Sequence, residues 1–272
     1  MRCVLTIAGF DPCGGAGLQA DLKTISALGA YALTAVTAVT AQNTREIRGV
    51  QYIEPQMLDA QLEALEADLP VDAVKIGMLG NERIVQSVMS FLKRFREKRP
   101  GLPVVIDPLL ESSSGSALLD REAREEFVAG LFPLATVLTP NIPEAEAILG
   151  RPVQSRSDME KACLELTHLG PAWVVLKGGH HAGNPLDILG HDGKIRVYPG
   201  EKIPGTGYHG TGCAFASALA VFLARELPVP EAVAKAKRYV EGAIKTACRL
   251  GQGAALLNHF YLQDSEERGE GD

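Results

Sequence analysis

The chain has 272 residues, 46% hydrophobic and 22% charged, and is long enough to bury one full α/β core. Its formal net charge of -6 excludes a basic nucleic-acid grip, and no apolar run approaches the ~18 residues that a membrane helix needs. Five dispersed cysteines (Cys3, Cys13, Cys163, Cys213, Cys248) form no C-x-x-C pair, which argues against zinc or a disulfide scaffold and for a reducing, cytoplasmic setting.

Met1 and Arg2 lead directly into residues 4–8, an apolar run that reads as a buried strand rather than a signal peptide. A loop over residues 9–17 follows, with four glycines, and residues 18–28 then carry apolar side chains at helical spacing up to Gly29. Strand, glycine loop and helix open a βαβ unit. The loop is not a G-x-G-x-x-G, and the next strand does not end in an acid, so a dinucleotide site is excluded. No G-x-x-x-x-G-K-[ST] occurs, which excludes a P-loop.

Residues 32–41 are rich in β-branched side chains and read as a strand ending in Gln42, Asn43 and Thr44. Polar groups at the carboxyl end of a central strand sit where open α/β sheets bind ligands. Gln42 is either such a group or a cap on its own turn. Pro55 opens a helix to about residue 67, residues 71–77 form the next strand, and Asn81 caps a helix to about residue 99. The basic run at that helix's end complements its dipole. Residues 103–108 form a buried strand ending in Asp107, either a ligand group or a turn former. Residues 135–140 form another strand, followed by Asn141 and Glu144 at a helix start. That spacing favours a capping box, and it also suits oxygen ligation of Mg2+.

Residues 172–179 make a strand that ends in Lys177 and two glycines; the lysine meets phosphate there or snorkels outward. The adjacent His180 and His181 have poor ligand spacing, and the histidines reveal no metal cage. Residues 187–189 and 194–198 pair as a hairpin turning at His191-Asp192-Gly193. A helix starts at Gly212, and a last one runs from Pro230 to about Leu250. Residues 263–272 are charged and predicted to fray. Alternating strands and helices without a second core predict one mostly parallel sheet covered on both faces.

His209-Gly210-Thr211-Gly212-Cys213 is the most suggestive stretch. Small residues turn straight into an apolar helix, whose first amides lack internal partners and sit at the positive end of the dipole. Such a turn can receive a phosphoryl group in flight. Cys213 is expected at its mouth with a lowered thiol pKa; the alternative is a helix start with a packed cysteine.

Taken together, these segments resemble the hydroxymethylpyrimidine/phosphomethylpyrimidine kinases of thiamine biosynthesis, within the ribokinase-like superfamily, over residues 4–259. The carriers include Gly14-Gly15-Ala16-Gly17-Leu18-Gln19-Ala20-Asp21, Ala41-Gln42-Asn43-Thr44, Lys75-Ile76-Gly77-Met78-Leu79, Thr139-Pro140-Asn141-Ile142-Pro143-Glu144 and His209-Gly210-Thr211-Gly212-Cys213. The resemblance implies a three-layer α/β/α fold with residues 1–272 as a single kinase domain. It implies that ATP phosphorylates 4-amino-5-hydroxymethyl-2-methylpyrimidine and then its monophosphate. Gly9, Asp21, Gln42 and Met78 are then expected at the pyrimidine, and Asp107, Asn141, Lys177 and His209 at ATP. Asp107 and Glu144 would hold Mg2+. Gly210, Thr211, Gly212 and Cys213 would be catalytic, with Cys213 where many ribokinase-like enzymes carry an aspartate base. A homodimer is expected by the same analogy. A kinase of a pyridoxal-type alcohol and a non-catalytic binding protein remain as alternatives.

Three departures concern the acceptor side. Ser113 and Thr206 stand where the family usually carries lysines, and Phe10 replaces a small residue. Serine and threonine bond phosphate without charge, and charge-assisted bonds are roughly twice as strong. The second phosphorylation is therefore expected to be the weaker one.

Overall fold

A computed structural model describes residues 1–111, 118–179, 185–205 and 207–263. Ser113, Thr206 and the charged tail from residue 264 lie outside the described residues. The chain opens with β1 (Cys3–Phe10), α1 (Gly17–Ala27), β2 (Tyr31–Gln42) and β3 (Ile47–Tyr52). There follow α2 (Pro55–Asp68), β4 (Ala73–Ile76), α3 (Glu82–Lys98) and β5 (Val104–Ile106). A short α4 (Ala123–Glu126) continues through a π turn and a 3-10 turn to β6 (Val137–Leu138), then α5 (Ile142–Leu149) and α6 (Arg156–Thr167). β7 (Trp173–Lys177), β8 (Leu186–His191), β9 (Lys194–Pro199), β10 (Tyr208–His209), α7 (Thr211–Ala224), α8 (Val229–Lys245) and β11 (Ala255–Leu256) complete it.

Nine strands form one sheet in the order β3-β2-β1-β4-β5-β6-β7-β8-β9. β2, β1, β4, β5, β6 and β7 run parallel, while β3, β8 and β9 add antiparallel edges. Strand alternation splits the core in two. Leu5 and Ile7 of β1 face one side, with α3 residues Ile84, Val88 and Leu92. Val4 faces the other, where it meets α7 and α8. This is the three-layer architecture expected. α7 is buried along every residue from Cys213 to Ala224, so it lies as an apolar rod against the sheet. No described helix is long and apolar enough to cross a membrane.

β3 and α6 are not among the predicted elements. β3 alternates only weakly and is half exposed, with Arg48 and Gly49 interrupting its apolar positions. α6 does carry a start signal, the capping box Ser155–Asp158. The last helix ends at Lys245 rather than Leu250, because Cys248 turns to bridge Leu256.

A buried ion pair ties the layers together. Lys75 Nζ of β4 sits 2.7 Å from Asp21 Oδ2 of α1, with neither side chain exposed. Thr6 and Ser217 donate hydroxyls to the same carboxylate at 2.6 and 2.7 Å. Burial would strip the Lys75 proton, but the charges of Asp21 and Asp107 outweigh it and hold the ammonium above its ordinary pKa. Removing one partner leaves an uncompensated buried charge. Lys75→Met is therefore expected to cost about 3–5 kcal/mol in urea unfolding; a loss under about 1 kcal/mol would contradict the pairing.

Candidate active site

The parallel strands deliver their last residues to one edge of the sheet, where open α/β folds bind ligands. Phe10 ends β1, Gln42 ends β2, Lys177 ends β7, and Asp107 follows β5 directly. α7 points its N-terminus at this edge. Gly210 has a φ of 80°, and a Cβ there would lie 1.8 Å from the Gly15 carbonyl oxygen. Only glycine permits that contact, which seats the turn on the glycine loop. No side chain caps α7, so the amides of Thr211, Gly212 and Cys213 lack intrahelical partners.

Those amides face a charged pair. Lys177 Nζ lies 2.8 Å from Asp107 Oδ1. A Cβ on Gly212 would sit 3.2 Å from that Nζ and 3.3 Å from Asp107 Oδ2. Thr139 donates to Asp107 Oδ1 at 3.1 Å, whereas Oδ2 is buried without a partner among the described residues. Burial would lower the Lys177 pKa, but Asp107 and Glu144 outweigh it and raise it.

Asn141 and Glu144 form the capping box that their spacing favours. Glu144 N–H donates to Asn141 Oδ1 at 2.8 Å, and Asn141 N–H to Glu144 Oε2 at 2.7 Å. Glu144 is nonetheless part of the charged centre. Burial pushes its carboxyl up to about 7, with Lys177 opposing and Asp107 adding to the rise.

On the β1–β2 side, Met78 is buried with Ala38 and Leu118. Its Sδ would lie 3.0 Å from a Cβ at Gly9, so the glycine makes room for the methionine. Phe10 is partly exposed beside them. The Gln42 amide lies 2.9 Å from His209 Nε2, and the same nitrogen lies 3.2 Å from Asp11 Oδ2.

Asp21 and His209 both have protein partners, and the readings of the Cys213 thiol and of the histidines need correction. Asp21 was expected at the pyrimidine, but it is sealed against Lys75, Thr6 and Ser217 and supports the framework. His209 was expected at ATP, yet its ring nitrogen bonds Gln42 and Asp11. The Cys213 thiol was expected to be acidified by the helix. Burial dominates instead and pushes it up to about 12, although Lys75 pulls the other way. One histidine does reach a potential cation cluster, since ligand atoms of Asp11, Cys13 and His209 lie within 4.8 Å of one another.

Asp11 and Lys75 carry weight that the sequence reading missed. Lys75 had a signal: a lone lysine between Val74 and Ile76 in a buried strand needs a buried partner. Concavities of about 450 and 350 Å3 lie elsewhere. One is at the opposite sheet edge near Arg2 and Arg99, and the other beside Leu110 and Arg124.

Comparison with known proteins identifies the family. The phosphomethylpyrimidine kinase family model matches residues 11–258. The chain belongs to the phosphomethylpyrimidine kinase family. Among relatives of this family, the hydroxymethylpyrimidine/phosphomethylpyrimidine kinase of Rhizobium meliloti is 41% identical over 261 residues, covering 94% of this chain and 96% of that protein. The thiamine biosynthesis bifunctional protein ThiED of Geobacter sulfurreducens is 43% identical over 262 residues, covering 96% of this chain and 53% of that protein. The chain thus spans about half the length of that relative. In structure, the chain is similar to an ADP complex of Bacillus subtilis pyridoxal kinase, with a TM-score of 0.87 and 34% identity over 97% of this chain and 99% of that one. The family fold is therefore the ribokinase-like three-layer α/β/α sandwich expected.

A thiol pushed to about 12 is protonated at neutral pH and reacts slowly. Iodoacetamide at pH 7.5 is expected to label the exposed Cys248 and leave Cys213 unmodified, as read by peptide mass spectrometry. Cys213 labelling as fast as Cys248 would contradict the buried, protonated thiol.

Proposed function

We propose that this chain is an ATP-dependent kinase of 4-amino-5-hydroxymethyl-2-methylpyrimidine, forming the monophosphate and then, less efficiently, the diphosphate. The observation that carries this reading is the meeting of the uncapped α7 N-terminus with the Asp107–Lys177 pair. Phosphoryl transfer needs positioning and charge stabilisation more than covalent chemistry. The amides of Thr211, Gly212 and Cys213 supply donors for the phosphoryl oxygens, and Lys177 is the nearby cation. Asn141 lies on the nucleotide side. Gln42 offers a polar edge to an aminopyrimidine, and Met78 a face for its ring.

In the step itself, the alcohol oxygen bonds to the γ-phosphorus and the bond to the ADP oxygen breaks. The alcohol also loses its proton. Burial keeps the Cys213 thiol protonated in the ligand-free protein, so Cys213 takes the alcohol proton only as its own thiol proton passes to a phosphate oxygen of the nucleotide.

A divalent cation fits the donor set. Among the described residues Asp107 Oδ2 is buried without a partner, and Glu144 is held near neutrality by burial beside Asp107; a cation would relieve both. Asp107 and Glu144 would hold Mg2+, which would neutralise phosphate charge. We also take the assembly to be a homodimer, as the family resemblance implies, in the cytoplasmic setting that the dispersed cysteines suggest.

A second reading is a kinase of a pyridoxal-type alcohol, favoured by the likeness to the Bacillus subtilis pyridoxal kinase. ADP release measured with each alcohol in turn tests both. Turnover of the pyrimidine alcohol is expected to exceed that of pyridoxal; the reverse order would favour the second reading.

A monophosphate acceptor has a second pKa of about 6 and needs no base. Cys213→Ala is therefore expected to slow phosphorylation of the alcohol by about 10- to 100-fold, with a much smaller effect on the monophosphate. Equal loss in separate assays of the two acceptors would refute a base role.

A further inference from the structure

Asp11 and His209 have no role in the chemistry above, yet they meet at Gln42. One ring nitrogen, His209 Nε2, serves two partners: the Gln42 amide at 2.9 Å and Asp11 Oδ2 at 3.2 Å. With a proton it can only donate; without one it can only accept. Asp11 decides between them. Its Oδ2 accepts backbone N–H groups from Gly15 at 3.1 Å and Ala16 at 2.8 Å, and its Oδ1 accepts that of Cys13 at 3.0 Å. Burial would raise its pKa, but bonds from His209, the Cys13 thiol and these amides outweigh it and hold the carboxylate ionised.

An ionised carboxylate only accepts, so His209 Nε2 carries the proton and donates. The Gln42 atom facing it must then be the carbonyl oxygen, because two N–H groups would repel. Amide oxygen and nitrogen exchange places by a half-turn and are assigned from such networks. After that turn the Gln42 NH2 occupies the position 3.3 Å from Thr40 Oγ1. Thr40 can accept there, since its own proton goes to the Phe10 carbonyl at 3.0 Å. Every donor finds an acceptor, and one Gln42 N–H remains free for a ligand.

We propose that Asp11 and His209 are positioning residues that lock the Gln42 amide with its carbonyl held by the imidazole and an N–H turned to the substrate, so that the site selects a heteroaromatic ring presenting an acceptor nitrogen. The opposite amide orientation would offer a carbonyl and select a donor. This rests on the kinase reading above.

Two measurements test it. Long-range 1H–15N correlation on the labelled wild-type protein without substrate reads the protonation of His209. A proton on Nε2 is expected; a bare Nε2 would overturn the proposal. In steady state, His209→Leu is expected to raise the KM for the pyrimidine alcohol by about tenfold or more, with kcat changed by less than about threefold. His209→Gln, which keeps an N–H at similar reach, should recover most of that loss. In a Gln42→Met background, His209→Leu should raise KM by less than about twofold further. A fully additive cycle would overturn the proposal, since it would make His209 structural. If the wild-type enzyme phosphorylates no aminopyrimidine alcohol while Nε2 carries the proton, the kinase reading fails and the positioning pair stands.

Discussion

Everything in this molecule depends on where the first turn of α7 comes to rest. The helix is apolar on all sides and is held by the sheet, so its axis is not free to shift. Gly210 brings its start against the Gly15 carbonyl, and Gly212 leaves it open toward Lys177 and Asp107. A side chain at Gly210 would push the turn off the Gly15 carbonyl, and one at Gly212 would crowd the ends of Lys177 and Asp107. The unpaired amides, the cation and the carboxylates therefore share one small volume at the carboxyl edge of the strands.

Burial sets the chemistry of that volume more than the helix dipole does. The dipole favours a thiolate at Cys213, but desolvation wins and keeps the thiol protonated. The same desolvation lifts the Glu144 carboxyl toward neutrality. Lys75 and Lys177 keep their charges only because Asp21 and Asp107 stand beside them. Among the described residues the ligand-free centre is thus a nearly closed set of charges with one orphan, Asp107 Oδ2. An incoming nucleotide and cation would supply what that set lacks.

The central strands were legible because burial on both faces writes apolar, β-branched runs such as 4–8 and 103–106. The α5 start was legible because Asn141 and Glu144 signal locally. Edge strand β3 was not, since half-exposed positions tolerate Arg48 and Gly49. At the site, Gln42, Asp107 and Lys177 could be placed because strand ends announce themselves. The partners of Asp21 and His209 could not be read, because they lie far along the chain: Lys75 for one, Gln42 and Asp11 for the other. Local pattern shows which groups reach the sheet edge; only packing shows which of them are already satisfied.

The most direct test of the account is a crystal structure grown with ADP, magnesium, aluminium fluoride and the pyrimidine alcohol. The planar fluoride that mimics the transferring phosphoryl group should lie within hydrogen-bond distance of the Thr211, Gly212 and Cys213 amides, with Lys177 beside it and the ring between Gln42 and Met78. A fluoride group bound away from the α7 N-terminus, or a ring lodged at another edge of the sheet, would contradict it.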